Sequence, residues 1–172
     1  MTPQILQGIP SWVKLTLMAP SGTVLLVSSS DGREMYADYL RANALIVSDA
    51  DTPERALRNL DTVDPHVVVT DFVFRSSSYD GPALLRALRT RVDGATSIIV
   101  VSGLARQDDR EAARAAGADL YLVKPALPSA VLYEVRRALL LRRSGRRLSW
   151  NWRDTASTPA RVPVERRQSR AS

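Results

Sequence analysis

The segment HVVVTD, residues 66–71, is an uninterrupted apolar run that stops at an acidic side chain. Continuous runs rich in Val and Ile are typical of strands that are buried on both faces of a parallel sheet. Four further runs of this kind occur along the chain, namely TVLLV (23–27), ALIV (44–47), SIIVV (97–101) and LYLV (120–123). The sequence therefore predicts five buried strands, with Asp71 at the carboxyl end of the third.

The segments between these runs have helical spacing and helix-terminal signals. Thr52-Pro53-Glu54 and Asp80-Gly81-Pro82 each combine a capping side chain with a proline in the first turn. Gly117 lies where the end of a helix favours a left-handed residue, and SAVLYEVRRALLL (129–141) carries an apolar stripe. Strands alternating with helices predict an α/β fold, a doubly wound (βα)₅ three-layer sandwich with a five-stranded parallel sheet in the order 2-1-3-4-5.

We expect this domain to span residues 23–142, with an N-terminal extension at 1–22 and a basic, disordered tail at 143–172. The segment beyond Leu141 contains nine arginines and only two acidic residues, Asp154 and Glu165. One hypothesis for this end of the chain is weak contact with nucleic acid or an anionic surface through charge and stacking. The residues it invokes are Arg142, Arg143, Arg146, Arg147, Trp150 and Trp152. A solvated extension is the alternative.

Several function classes are excluded by what the chain lacks. It has no cysteine, which excludes a disulfide, a thiolate metal site and a thiol nucleophile, and which agrees with a cytoplasmic location. The single histidine, His66, begins the third apolar run, at the end opposite Asp71, so no Ser-His-acid grouping can be assembled. No apolar run reaches the roughly 20 residues of a membrane-spanning helix, and we do not predict a signal peptide.

Polar side chains follow the predicted strands where ligands gather in doubly wound sheets, at the carboxyl ends. Ser28 and Ser29 follow the first strand, Asp71 the third, Ser102 ends the fourth and Lys124 follows the fifth. Lysine occurs only twice in the chain, against 22 arginines, so a lysine here favours a compact ammonium over a planar guanidinium. A solvated loop position for Asp71 and a chance lysine at 124 are the alternatives.

Motifs in this order resemble the receiver domain of bacterial two-component response regulators. The resemblance rests on VVVTD with Asp71, IIVVSG with Ser102, and DLYLVKP with Tyr121 and Lys124. The residue patterns of REMYADYL in the first helix and DGPALLRALR in the third are also similar to those of the family. It extends over residues 23–140, and the order and spacing of the motifs make it specific.

The resemblance implies that Asp71 accepts a phosphoryl group from a sensor histidine kinase or phosphotransfer protein. Lys124 would contact the phosphoryl oxygens, while Ser102 and Tyr121 would move as switch residues and change a surface that an unidentified output protein recognises. In this interpretation the protein is a stand-alone phosphorelay component. It is not an enzyme beyond phosphoryl transfer to its own Asp71.

One part of the pattern departs from the family. Receivers place an acidic pair directly after the first strand to hold Mg²⁺ with the acceptor aspartate, whereas this chain has Ser28 and Ser29. Neutral hydroxyls are poor Mg²⁺ ligands, so we expect weakened binding through Asp71 and the backbone carbonyl of Val73. The stretch DFVFRSSSYDG after Asp71 is longer than the usual turn and lacks its proline, which leaves the Val73 contact doubtful.

Two alternatives to a phosphorylated receiver therefore stay open. The first is a degenerate pseudo-receiver that is switched or recruited without phosphorylation. The second is a flavodoxin-like protein in which SSSDG, residues 28–32, would cradle the phosphate of FMN. Apart from Mg²⁺ and this FMN alternative, the sequence indicates no cofactor.

Overall fold

A computed structural model describes residues 22–75 and 77–154, which form one parallel sheet with helices on both faces. The strands are β1 (Thr23–Val27), β2 (Ile46–Ala50), β3 (Val67–Thr70), β4 (Ser97–Ser102), β5 (Leu120–Val123) and β6 (Asn151–Asp154). The helices are α1 (Arg33–Ala42), α2 (Pro53–Val63), α3 (Gly81–Arg91), α4 (Gln107–Ala115) and α5 (Pro128–Arg142). The strand order is β2-β1-β3-β4-β5-β6, which confirms the predicted doubly wound topology.

The alternation of side chains along each strand divides the core into two layers. In β1, Val24 and Leu26 pack with α1 and α5, whereas Leu25 and Val27 pack with α2 and α3. Strand β3 repeats the pattern, because Val67 and Val69 share the first layer and Val68 shares the second. These strands are buried on both faces, which explains why they are apolar without interruption.

The two helix N-caps predicted from the sequence are present in the structure. The Thr52 hydroxyl accepts from the Arg55 N–H at 3.3 Å, and the Asp80 carboxylate accepts from the Ala83 N–H at 2.7 Å. Gly117 has a φ of +103°, the left-handed conformation expected after α4.

The sheet has six strands, so the predicted count of five was wrong. Residues 143–154 were assigned to a disordered tail, but they turn back after α5 and add β6 parallel to β5. Gly145 makes the turn with a φ of +65°, and Leu148 is buried beside α5. The sheet therefore includes residues beyond position 142, as far as Asp154. The N-terminal extension and the tail beyond Asp154 lie outside the described residues.

The returning segment is held by tertiary contacts. The Arg147 guanidinium donates to a carboxylate oxygen of Asp119 at 2.8 Å, and the Leu148 N–H donates to the Ser97 hydroxyl at 2.9 Å. Asp119 is itself buried and also accepts from the Ile98 N–H at 2.8 Å. Arg89 of α3 also pairs with Asp119 at 2.5 Å, so the returning segment adds a second arginine to a buried carboxylate that is already paired.

Glu134 of α5 provides a second buried carboxylate at this edge of the sheet. Its oxygens lie 3.1 Å from the Arg153 guanidinium in β6 and 2.7 Å from that of Arg137. Burial raises the pKa of the Glu134 carboxyl above its ordinary value of 4.5, and the two arginines offset only part of that effect. Docking of β6 therefore supplies one of the two charges that offset part of this rise.

This raised pKa predicts how Glu134 affects stability. A carboxyl with a raised folded-state pKa contributes its stabilisation fully below the unfolded pKa and loses it as pH rises through the folded pKa. We expect the free energy of unfolding of the wild type minus that of Glu134→Gln to fall as pH increases above 4.5. Urea unfolding of both proteins over a pH series measures the difference. A difference that stays constant or grows over that interval would contradict the assignment.

Candidate functional site

An open pocket of about 720 Å³ lies at the carboxyl ends of the strands. Its lining includes Ser29, Asp71, Ser102 and Lys124, so the loops after β1, β3, β4 and β5 all contribute. The winding of the sheet reverses between β1 and β3, which is where a crevice is expected in this topology. The predicted site residues from these loops are therefore brought to a single mouth.

Asp71 is fixed by the strand that precedes it. Its N–H donates to the Val27 carbonyl at 2.8 Å, and its own carbonyl accepts from the Thr70 hydroxyl at 2.9 Å. Only 10% of its side chain is exposed, at the floor of the pocket. The sheet therefore holds the carboxylate in place, and only local side chains determine what it contacts.

Both oxygens of the Asp71 carboxylate have a donor from the chain itself. The Lys124 ammonium donates to Oδ1 at 2.7 Å, and the Ser28 hydroxyl donates to Oδ2 at 2.6 Å. The Lys124 backbone N–H also donates to the Ser102 carbonyl at 2.7 Å, which anchors the lysine at the end of β5. Charge-assisted hydrogen bonds of this length are among the stronger ones in proteins. The acid is thus clamped between an ammonium and a hydroxyl.

The serines after β1 behave differently from one another. Ser28 is buried, and its hydroxyl lies 2.8 Å from that of Ser30, while Ser29 is exposed at the pocket wall. Arg33 donates to the Ser28 carbonyl at 3.1 Å and pairs with Asp49 at 3.2 Å, which fixes the start of α1. Ser28 therefore satisfies Asp71 as a hydrogen-bond donor, a role that a carboxylate at this position could not perform.

This donor set does not fit Mg²⁺. The ion prefers charged oxygen ligands in an octahedral array, whereas the oxygens of Asp71 already accept from a hydroxyl and an ammonium. Within residues 22–75 and 77–154, no group of three or more His, Cys, Asp or Glu side chains could hold a metal. Val73, whose backbone carbonyl was expected to contact the ion, lines the pocket and is 48% exposed. We therefore assign no step to a metal ion.

The two predicted switch residues meet at the loop after β4. The Ser102 hydroxyl accepts from the Leu104 N–H at 3.1 Å, and the Tyr121 hydroxyl donates to the Leu104 carbonyl at 2.9 Å. Tyr121 is fully buried, with its ring edge-on to Phe72 at 5.9 Å between centroids. Burial raises the pKa of the Tyr121 phenol, and its hydrogen bond with Ser102 offsets part of the rise. Tyr121 thus contacts the loops on both sides of the pocket.

The long loop after Asp71 is held by packing that the sequence did not predict. Phe72 and Phe74 are buried in the second core layer. Glu54 of α2 accepts from the Ser77 hydroxyl at 2.8 Å and from the Ser78 N–H at 3.0 Å. These hydrogen bonds lower the pKa of the Glu54 carboxyl. The spacing of two phenylalanines beside Asp71 was the only signal in the sequence for this packing.

The basic residues near the end of the described chain are largely structural. Arg142 pairs with Asp93 at 2.9 Å and Arg147 with Asp119 at 2.8 Å. Trp150 packs against the second core layer. The cluster invoked for nucleic-acid contact is therefore divided between internal ion pairs and core packing, although Arg143 and Arg146 are exposed.

Gly81, the first residue of α3, sets the close approach of that helix to the residue after Asp71. A Cβ at position 81 would overlap the backbone oxygen and ring of Phe72. We expect Gly81→Ala to lower the free energy of unfolding by about 1–3 kcal/mol, as overpacking does. Gly94→Ala is the matched control, because an added Cβ there meets no atom within 4 Å. Equal losses for the two variants in urea unfolding would contradict this packing.

No helix among the described residues is long and apolar enough to cross a membrane.

Residues 24–136 match the family model of the response regulator receiver domain. A curated relative, the transcriptional regulatory protein PrrA of Mycobacterium leprae (strain TN), is 33% identical over 133 residues, which are 77% of this chain and 55% of the relative. The chain thus spans about half the length of the curated relatives it matches.

Solved structures show the same fold. A CheY-like receiver domain protein of Methanospirillum hungatei JF-1 is similar with a TM-score of 0.66 and 21% identity, over 73% of this chain and 99% of that one. The receiver domain of NtrX from Brucella abortus is similar with a TM-score of 0.63 and 24% identity, over 68% and 98% of the two chains. At these identities the likeness concerns the fold alone.

Proposed function

This chain belongs to the response regulator receiver family of two-component signalling, and we propose that it signals through protein contacts without Mg²⁺-dependent phosphorylation of Asp71. Receiver domains are generally signalling modules that interact with sensor histidine kinases and output partners. The proposal makes this protein a pseudo-receiver, in which the family's surface is retained and the chemistry of its pocket is altered.

The observation that carries the proposal is the clamped carboxylate. Attack of Asp71 on phosphorus requires a carboxylate oxygen that the phosphoryl group can approach and cations that offset the charge of that group. The Ser28 hydroxyl donates to Oδ2 at 2.6 Å, and Lys124 is the one cation that pairs with Asp71 among the described residues. Each missing carboxylate at a metal site removes about 1–4 kcal/mol of attraction for the ion.

A second candidate, phosphoryl acceptance at Asp71, is favoured by the placement of Lys124 and Ser102. Lys124 lies at 2.7 Å from the acid, where it would contact a phosphoryl oxygen, and Ser102 lines the same pocket. The donor would be a sensor histidine kinase or phosphotransfer protein, and Ser102 and Tyr121 would transmit the change to an output protein. An output protein is the partner that both candidates have in common.

Intact-mass analysis after exposure to a small phosphodonor separates the two candidates. The wild type and Asp71→Asn are compared with and without millimolar Mg²⁺. We expect no phosphoryl adduct on the wild type under either condition. Asp31 and Asp51 also line the pocket, but among the described residues they form no group of three acids that could hold a metal with Asp71. A single adduct that is lost in Asp71→Asn would overturn the proposal and establish the second candidate.

Restoring the acidic pair tests the physical cause directly. We expect the double variant Ser28→Asp, Ser29→Asp to bind Mg²⁺ about tens of times more tightly than the wild type, because two added carboxylates attract the ion. Ser28→Asn, Ser29→Asn is the matched control, since it has a similar shape without the charge. Isothermal titration calorimetry measures the three proteins. Equal Mg²⁺ affinity in all of them would show that the serines are not what limits metal binding.

The family assignment lends no support to FMN binding, and the ion pairs of Arg142 and Arg147 disfavour a nucleic-acid role for that cluster. The stand-alone character and the cytoplasmic location stay predictions.

A further inference from the structure

We infer that β6 pairs with the edge of β5 as an intramolecular partner. We infer also that this pairing holds the β4–α4 loop, at the mouth of the Asp71 pocket, in one conformation. The inference extends the proposed function, because a receiver without pocket chemistry needs another source of bias between its states. The contacts that carry the inference do not involve Asp71.

Strand β6 is attached to three elements at once. The Asn151 N–H donates to the Asp119 carbonyl at 3.2 Å and begins the ladder with β5. The Arg153 guanidinium lies 3.1 Å from the buried Glu134 carboxylate of α5. The Trp152 ring lies 4.0 Å from the guanidinium carbon of Arg110 in α4, a cation–π contact. The strand therefore ties the two helices that flank β5 to each other.

On the outer edge of β6, the backbone N–H of a central residue already has a hydrogen-bond partner within the strand. Asn151 donates inward to the ladder, so the N–H of the next residue, Trp152, points away from β5. That N–H donates to the Asn151 side-chain oxygen at 2.8 Å instead. Capping an outward N–H removes one of the groups that would recruit another strand. These features fit a strand that ends the sheet within its own chain.

A continuous set of contacts leads from β6 to the pocket. Trp152 is the register partner of Tyr121 in β5. The Tyr121 hydroxyl holds the Leu104 carbonyl at 2.9 Å, and the Leu104 N–H donates to the Ser102 hydroxyl at 3.1 Å. Ser102 and Leu104 both line the pocket. Displacement of β5 from its position beside β6 would therefore reach the pocket wall within two hydrogen bonds.

The same loop is also restrained from its helical side. Residues 103–106 connect β4 to α4, and α4 begins at Gln107. Arg110, which contacts Trp152, lies in the first turn of this helix. The loop is thus bounded by Tyr121 on one side and by α4 on the other, and β6 contacts both. Undocking of β6 would release both restraints together.

Hydrogen exchange of the full chain, followed by mass spectrometry, tests this coupling. Trp152→Ala removes the cation–π contact, and Arg153→Glu places a second carboxylate beside Glu134. We expect exchange of residues 151–154 to increase in both variants, and exchange of the loop at 102–106 to increase by about tenfold with it. Arg146→Glu is the matched control, because it reverses the charge of an exposed arginine outside β6. The control should leave both segments unchanged.

Every outcome bears on the inference. Faster exchange in 151–154 with an unchanged loop would overturn the coupling, and unchanged exchange in 151–154 in both variants would overturn the assigned anchors. If Arg153→Glu does not fold, Trp152→Ala alone decides, since it removes no buried charge. A phosphoryl adduct on Asp71 would overturn the proposed function but would leave these exchange results unaffected, so the two failures are distinguishable.

Discussion

The carboxylate of Asp71 is shared between the ammonium of Lys124 and the hydroxyl of Ser28, and the character of the pocket follows from that arrangement. The sheet fixes the backbone of the acid through the Val27 carbonyl, so the carboxylate cannot move far to meet a ligand. A donor at position 28 makes a hydrogen bond to the carboxylate, whereas an acceptor there would require a cation between the two groups. In the pseudo-receiver that we propose, serine in place of an acid at position 28 replaces a metal ligand with a hydrogen-bond donor to Asp71.

The order of the strands and the meeting of Asp71, Ser102 and Lys124 were predictable, because parallel strands buried on both faces leave a clear apolar pattern. The doubly wound order then places their carboxyl ends together. The hydrogen bond from Ser28 was not predictable in the same way. Its existence depends on the rotamer of a buried serine and the 2.6 Å approach of two side chains that are 43 positions apart. The packing of Phe72 beneath α3 depends likewise on tertiary contact.

The sixth strand shows where a sequence pattern is weakest. Asn151–Asp154 contains a single apolar side chain, Trp152, and lies among arginines and serines, a composition typical of solvated tails. Its order comes from buried acids elsewhere, Asp119 and Glu134, which attract Arg147 and Arg153. Neither acid is adjacent to its partner in sequence, so the charge balance becomes visible only once the fold is known. The same contacts bring the end of the chain within reach of the pocket through Tyr121.

The clamped carboxylate is tested most directly by the carbon-13 chemical shift of the Asp71 side-chain carboxyl, followed by NMR during titration with Mg²⁺. A satisfied, metal-free acid predicts that this resonance stays in place up to millimolar Mg²⁺, while the same titration moves it in the protein with aspartates at 28 and 29. A saturable shift of the wild-type resonance would contradict the account, because it would mean that the ion displaces the Ser28 hydroxyl or the Lys124 ammonium from the acid.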